Sequence, residues 1–402
     1  MVFLLLMTKG ELSLDMTTIP DHSLVAFLAQ GPDFRRDDER TTHRLVDILT
    51  IAVCAVLCGA NSWTDMETFG HAKENWFRQF LALPEGLPSH DTYRRVFMLL
   101  APEAWQPLFQ EWAVAMQERC RSATGLAPAI NIDGKHLRGT RPRQGSLTAG
   151  LRLVSAWSEE CRLVLGQVKT AEKSNEITAI PQLLKMLDIS GCVVTIDAMG
   201  CQTAIVQQIK TQGGDYVLSL KGNQETLHEE VRSYWEWAAR RAYQDIVYDY
   251  AETLDKGHGR LEVRRCWVTQ DVAWLTNLAK WSGLRSIACV ESEREMLGTG
   301  QISVERRYFI SSLGVPAQEL LGYIRGHWAI ENGLHWVLDV AFREDGKQSR
   351  AGHSAENLAL VRHFAVNLLK QEKSSRVGIE AKRKQAGWDE NYLLKVLKIL
   401  DA

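Results

Sequence analysis

Asp133 and Asp197 each follow a run that reads as a buried strand. Ala129-Ile130-Asn131-Ile132 precedes the first and Cys192-Val193-Val194-Thr195-Ile196 the second, and each acid is followed by a small residue. In open α/β sheets, sites are built at the carboxyl ends of strands. Two aspartates ending adjacent strands can share a divalent cation, because Mg²⁺ takes oxygen ligands and keeps several waters. The rival reading makes each aspartate the cap of a turn or helix, and position alone leaves both open. A third acid would complete a metal site. Glu331 is the candidate, in Tyr323-Ile324-Arg325-Gly326-His327-Trp328-Ala329-Ile330-Glu331-Asn332. A helix there puts His327, Glu331 and His335 on one face, which suits polar chemistry or a solvated surface. Asp339, Glu344 and Asp345 are rival acids. The pattern is not H-E-x-x-H, which excludes a zincin reading.

The elements that must position these acids follow from periodicity. Residues 41–119 read as helical, with Leu45, Ile48, Leu49, Ala52, Val53, Val56 and Leu57 at helical spacing. Further helices are expected at about 63–82, after Ser89 or Asp91 as cap, and from Pro102, since proline suits a first turn. From about 126 the pattern becomes strand-strand-strand-helix-strand-helix-strand. The later pieces are Leu151–Trp157, Leu163–Val168, a helix near 174–188, the strand before Asp197, a helix near 202–212 and Asp215–Leu220. This order predicts a mixed sheet with helices packed on it. Ile246–Tyr250, Leu261–Val268, Ser286–Val290 and Arg307–Ile310 then read as a β-rich insertion over about 244–312, with helices resuming at Pro316.

Composition bounds the class. The chain has 402 residues, 45% apolar and 24% charged, with 47 Lys and Arg against 49 Asp and Glu. These are globular values, and they exclude a disordered tail, a collagen-like rod and a small disulfide scaffold. The net charge of −2 speaks against a polyanion partner only as a sum, and distribution matters more. Eight cysteines without a C-x-x-C pair fit a reduced, cytoplasmic setting. Met1–Met7 lacks the basic start of a signal peptide, and the apolar run Ile48–Ala60 is too short to span a bilayer. No membrane association is expected.

The order of motifs over residues 24–372 resembles the H-repeat-associated family of bacterial insertion-sequence transposases. The N-terminal part carries Asp47-Ile48-Leu49, Cys54-Ala55-Val56-Leu57-Cys58-Gly59-Ala60, Phe69-Gly70 and Pro88-Ser89-His90-Asp91-Thr92. The core carries Ile132-Asp133-Gly134-Lys135 with Arg138-Gly139, Leu153-Val154-Ser155-Ala156-Trp157, Lys173-Ser174-Asn175-Glu176-Ile177 and Thr195-Ile196-Asp197-Ala198-Met199. It continues with Lys221-Gly222-Asn223-Gln224, His258-Gly259-Arg260, His327-Trp328 with Ile330-Glu331-Asn332, His335-Trp336-Val337-Leu338-Asp339-Val340 and Glu356-Asn357-Leu358-Ala359.

The resemblance implies an Asp-Asp-Glu triad of Asp133, Asp197 and Glu331 on a ribonuclease-H-like mixed-sheet α/β core. It implies two Mg²⁺ or Mn²⁺ ions, Asp133 bridging both while Asp197 and Glu331 each hold mainly one. The expected reaction is metal-dependent cleavage of transposon-end DNA, followed by joining to target DNA, in a homo-oligomer associated with the nucleoid. The implied organisation is an N-terminal extension 1–23, a helical domain 24–125, a catalytic core 126–372 and a basic helical tail 373–402. Lys135, Arg138, Arg141, Lys221, Asn223, Gln224, His258 and Arg260 are expected at DNA. Arg143 and Arg264 are further basic candidates, and Trp267 is either a base-stacking residue or core. The broader group often has Tyr, Arg and Lys around its last Glu. Here those places hold Ile324, His327 and Leu338, so that phosphate-binding trio does not transfer. His327 is instead expected as a cation or hydrogen-bond donor at DNA. The alternatives are an inactive, DNA-binding remnant and a metal-dependent nuclease on the same core. A carboxylate-pair glycosidase is remote.

Overall fold

The computed structural model describes residues 23–33, 35, 41–120, 126–140, 150–170, 175–257, 259–346 and 349–398. Arg141, Arg143 and His258 lie outside the described residues, as does nearly all of the expected N-terminal extension. The chain forms two compact units. One comprises 1–119, 137–151 and 337–402, and the other 120–136 and 152–336.

The first unit is helical. Its helix Leu45–Leu57 is buried along its length, because every position but Asp47 and Thr50 is apolar. The expected 63–82 helix is instead Trp63–Ala72 followed by the short Glu74–Phe77. Ser62 closes the first of these with a capping box to Asp65. Ser89 caps His90–Leu99, and Pro102 opens a helix to Cys120. The helix Ser354–Gln371 is the unit's second buried rod. It packs Phe364 against Trp105, Phe109 and Trp112. Buried Asn357 accepts from Trp105 Nε1 at 2.8 Å and donates to the carbonyls of Phe97 and Leu100. The basic tail is partly inside this unit. Lys382 and Arg383 are buried, Arg383 donating to the Val56 and Ala341 carbonyls.

The second unit is built on one nine-stranded mixed sheet. Its strands are β1 (Ala129–His136), β2 (Arg152–Ser158), β3 (Leu163–Lys169), β4 (Val193–Ile196), β5 (Asp215–Leu220), β6 (Asp249–Gly257), β7 (Arg260–Thr269), β8 (Ser286–Met296) and β9 (Gln301–Ser311). They lie in the order β3-β2-β1-β4-β5-β9-β8-β7-β6. Only β1-β4 and β4-β5 pair parallel, and their paired stretches are buried and mostly apolar, with Asn131 and Thr195 as buried polar exceptions. Strands β6 to β9 are longer than the sequence runs suggested, and they continue the same sheet through the β5-β9 pair. Their polar outer halves are held by ladder hydrogen bonds and ion pairs rather than by apolar burial. The helix Ala317–Gly326 buries Leu320, Leu321 and Ile324 against Val193, Val217, Val290 and Phe309. The helix Glu225–Arg240, absent from the sequence reading, buries Leu227, Val231, Trp235 and Ala238.

Candidate active site

Parallel pairing of β1 and β4 runs from Ala129↔Val193 to Ile132↔Ile196. The next residue on each strand is an aspartate, Asp133 and Asp197. The sequence reading ended the first strand there, but β1 continues to His136 because its antiparallel partner β2 goes on supplying hydrogen bonds, Asp133 facing Ser155. Asp197 does end its strand. Its carboxylate accepts from the Met199 and Gly200 N–H groups at 3.0 and 3.4 Å, so the capping reading of this residue is real. It leaves the second carboxylate oxygen available.

Glu331 reaches the same place by a different device. The regular helix stops at Gly326, and Glu331–His335 forms a single π turn. The even i, i+4, i+8 face expected for His327, Glu331 and His335 is therefore broken. The physical reason lies in Gly333, where a Cβ would sit 3.0 Å from the Trp157 ring, so backbone and indole pack directly. The π turn places His335 Nδ1 3.4 Å from Asp133 Oδ2. Such turns are frequent at functional sites.

Asp133, Asp197, Glu331, Lys221, Arg307 and His327 all line one cleft of about 230 Å³. A fourth acid adjoins it. A Cβ on Gly134 would fall 2.0 Å from Glu176 Oε1, so this carboxylate rests against the glycine beside Asp133. Burial pushes the Asp133 carboxyl up to about 7, and the charges of Asp197, Glu176 and Glu331 add to it, against the Gly134 N–H. Burial and then Asp197 raise Glu176 as well. Among the described residues, no three His, Cys, Asp or Glu side chains converge closely enough to hold one metal ion.

His327 lines the same cleft. Burial lowers its basicity, and its Nδ1 lies 2.9 Å from Thr195 Oγ1. Burial thus disfavours the charged ring, against the pull of the Asp197 charge. Lys221 lines the cleft, whereas Asn223 and Gln224 donate to the carbonyls of Ala198 and Cys201, bracing the loop after Asp197. Lys135 Nζ donates to the His335 carbonyl at 3.1 Å. Arg138 belongs to the helical unit and pairs there with Asp345. Arg260 lies 3.7 Å from Glu262, and Arg264 is held by Glu262 and Asp255. Trp267 is core, stacked on Tyr243. Sequence reasoning missed two cleft residues. Glu176 stood only within the motif Lys173-Ser174-Asn175-Glu176-Ile177, with no site role given to it, and Arg307 sat inside a candidate strand. Arg307 lies over the exposed Trp328 ring and pairs with Glu305. The glycine after Asp133 was the available signal for the first.

The sheet thus brings two aspartates from adjacent parallel strands and a glutamate from a following helical segment to one cleft. The family model described as "Transposase DDE domain" matches residues 125–368, and "DDE_Tnp_1-associated" matches residues 25–113. The chain belongs to the DDE-domain transposase family. It is 38% identical over 371 residues to the "H repeat-associated putative transposase YhhI" of Escherichia coli K12, covering 91% of this chain and 95% of that one. It is 47% identical over 281 residues to a Xanthobacter autotrophicus protein named for its position in the dhlA 3′ region, covering 70% and 91%. A structure of the piggyBac transposase synaptic complex with hairpin DNA overlaps with a TM-score of 0.41 and 9% identity, covering 94% of this chain and 78% of that one. Among the described residues, no helix is long and apolar enough to cross a membrane.

Proposed function

We propose that this DNA transposase cleaves insertion-sequence ends and joins them to target DNA with Asp133, Asp197 and Glu331 as its catalytic acids, on a ribonuclease-H-like core. The observation that carries this is the convergence of the three on one cleft, the aspartates at matching positions on adjacent parallel strands.

The family generally uses divalent metal ions. The donor set here is oxygen-rich, and its chemistry suits a hard cation such as Mg²⁺ or Mn²⁺. Burial raises the Asp133 carboxyl, and the neighbouring Asp197, Glu176 and Glu331 charges add to it, which a bound cation would offset. Asp133, Asp197 and Glu331 would hold the ions, with Glu176 beside them. When bound, such ions neutralise the phosphate and activate the attacking oxygen. The chain's own residues do the rest. Lys221 and Arg307 put positive charge on the cleft wall for the DNA backbone, a sequence-independent contact. Lys135, through the His335 carbonyl, ties β1 to the π turn that carries Glu331. Asn223 and Gln224 hold the loop after Asp197. The matched helical region 25–113 would read transposon ends, with two copies of the chain bridging two ends.

The test uses paired transposon ends, a target plasmid and Mg²⁺. Joined product is expected from the native chain and none from Asp133→Ala, Asp197→Ala or Glu331→Ala, with end binding retained. Nicks without joining would make the protein a nuclease, and neither product would make it an inactive remnant. Wild-type nicking by Asp133→Ala would overturn the triad.

A further inference from the structure

Beneath the cleft lies a buried polar chain that the catalytic reading does not use. Asn131 and Thr195 are a directly paired couple across β1 and β4, two residues before Asp133 and Asp197. Both are buried. Side chains two apart on a strand share a face, so this couple is the rung below the two aspartates. His327 stands four residues before Glu331, where the helix from Ala317 ends.

The hydrogen bonds run in one direction. Asn131 Nδ2 donates to the Gly326 carbonyl at 2.8 Å, and a carbonyl can only accept, so the amide orientation is fixed. Asn131 Oδ1 is then an acceptor, and the Thr195 hydroxyl donates to it at 2.8 Å. A hydroxyl has one proton. Thr195 Oγ1 must therefore accept at its 2.9 Å contact with His327 Nδ1, which places the ring proton on Nδ1. At the other end, the Glu159 carboxylate bonds the Asn131 side chain and lies where a Cβ on Gly326 would stand.

The geometry points to Glu159, Asn131, Thr195 and His327 as a positioning relay for the transposase reaction. It locks together the three elements that carry Asp133, Asp197 and Glu331, and it turns His327 so that Nε2 offers a bare lone pair to the cleft. This rests on the triad reading above. The His327 ring lines the cleft, and besides its Nδ1 contact with the Thr195 hydroxyl it hydrogen-bonds the Thr195 backbone. A bare imidazole nitrogen there accepts a hydrogen bond from a hydroxyl, such as an attacking water or a sugar 3′-hydroxyl. It does not act as a phosphate-binding cation. Burial of the ring, which disfavours a second proton, is consistent with this.

The test has two readouts on the full-length protein. In ¹⁵N-labelled, metal-free protein, His327 should show the Nδ1-protonated tautomer. Thr195→Val should lower the Nδ1-protonated share, and Thr195→Ser should keep it. With pre-bound transposon-end DNA and Mg²⁺, Thr195→Val should cut about 10- to 100-fold more slowly, as small misplacements in an active site do. Its affinity for end DNA should stay within about twofold, and Thr195→Ser should recover most of the rate. If Thr195→Val does not fold, His327→Phe supplies the same loss at a partly exposed position. His327→Lys should be as slow as His327→Phe. Wild-type cutting by Thr195→Val or by His327→Lys, or an Nε2-protonated ring in the native protein, overturns the relay. Asp133→Ala run alongside separates the two ideas. If it is dead while Thr195→Val is normal, only the relay fails. If it cuts normally, the triad fails as well.

Discussion

Replacing Asp133 with asparagine should stabilise the metal-free protein, although it destroys the proposed chemistry. The Asp133 carboxyl sits at about 7 instead of its ordinary 3.8, mainly through burial and then through Asp197, Glu176 and Glu331. The native state thus binds this proton more tightly than the unfolded chain does. Below 3.8 the group is neutral in both states and costs nothing. Between 3.8 and about 7 its contribution falls as pH rises, and above 7 the full penalty stands. At about 1.4 kcal/mol per tenfold in acidity, keeping it ionised at pH 8 costs about 4 kcal/mol. The side chain is 27% exposed, and solvent screening reduces this to about 2–4 kcal/mol. Asparagine keeps the shape and removes the charge. In EDTA at pH 8, Asp133→Asn should melt about 4–16 °C above wild type, at about 2–4 °C per kcal/mol for a unit of this size. Near pH 4 the gap should almost close. Adding Mg²⁺ should raise wild type and leave the variant unmoved. The assay is thermal unfolding by circular dichroism across pH, with and without metal. A variant that melts at or below wild type in EDTA at pH 8 would refute the argument, as would a gap independent of pH.

Three further outcomes follow from the same geometry. Glu176→Gln removes a like charge beside Asp133 and should move the acid limb of the cleavage pH profile to lower pH, read from single-turnover rates between pH 5 and 8. Lys221→Ala removes a cleft-wall cation, so the slope of log affinity for end DNA against log salt should fall by about 1, with cleft affinity weakened for all sequences alike. Arg383→Ala should lower the melting temperature through a loss of about 3–5 kcal/mol, because this buried guanidinium serves the Val56 and Ala341 carbonyls and lies 4.1 Å over the Phe342 ring. Its end-DNA affinity, measured below the new melting point, should not change.

What could be read in advance divides along physical lines. The strands before Asp133 and Asp197 were legible because buried parallel strands are short, continuous apolar runs. The starts at Ser89 and Pro102 were legible because helix caps are chemical. The π turn at Glu331 was not, since it depends on Gly333 meeting Trp157, a contact with a residue far away in sequence. Glu176 was hidden for a similar reason: a first-turn glutamate after an asparagine cap is locally unremarkable, and only the approach to Gly134 brings it to the cleft. The helix Glu225–Arg240 was readable from Leu227, Val231, Trp235 and Ala238 at helical spacing, yet the stretch between the strand ending at Leu220 and the β-rich region from about 244 was given no element. The extension of β1 past Asp133 was unreadable because backbone pairing with β2, not side-chain pattern, sustains it.

The near-cancelling charge acquires a structural meaning. In the β6–β9 ribbon, arginines and acids neutralise one another in place. Arg265 is held by Glu252, Glu291 and Glu293. Glu262, only 3% exposed, is shared by Arg264 and Arg294. Such cations stiffen a sheet whose outer half lacks an apolar core, and their charges are already spent. In the tail, Lys382 and Arg383 are likewise committed to backbone carbonyls. Lys221 is different, having no ion-pair partner within 4.0 Å among the described residues while lining the cleft that holds the three acids. A sum near zero therefore does not describe an uncharged partner surface. It describes arginines and lysines used largely for architecture, beside a cleft whose crowded carboxylates repel a phosphate until cations offset them. On the proposed function, productive engagement of DNA in this cleft would therefore depend on divalent cations held by those acids.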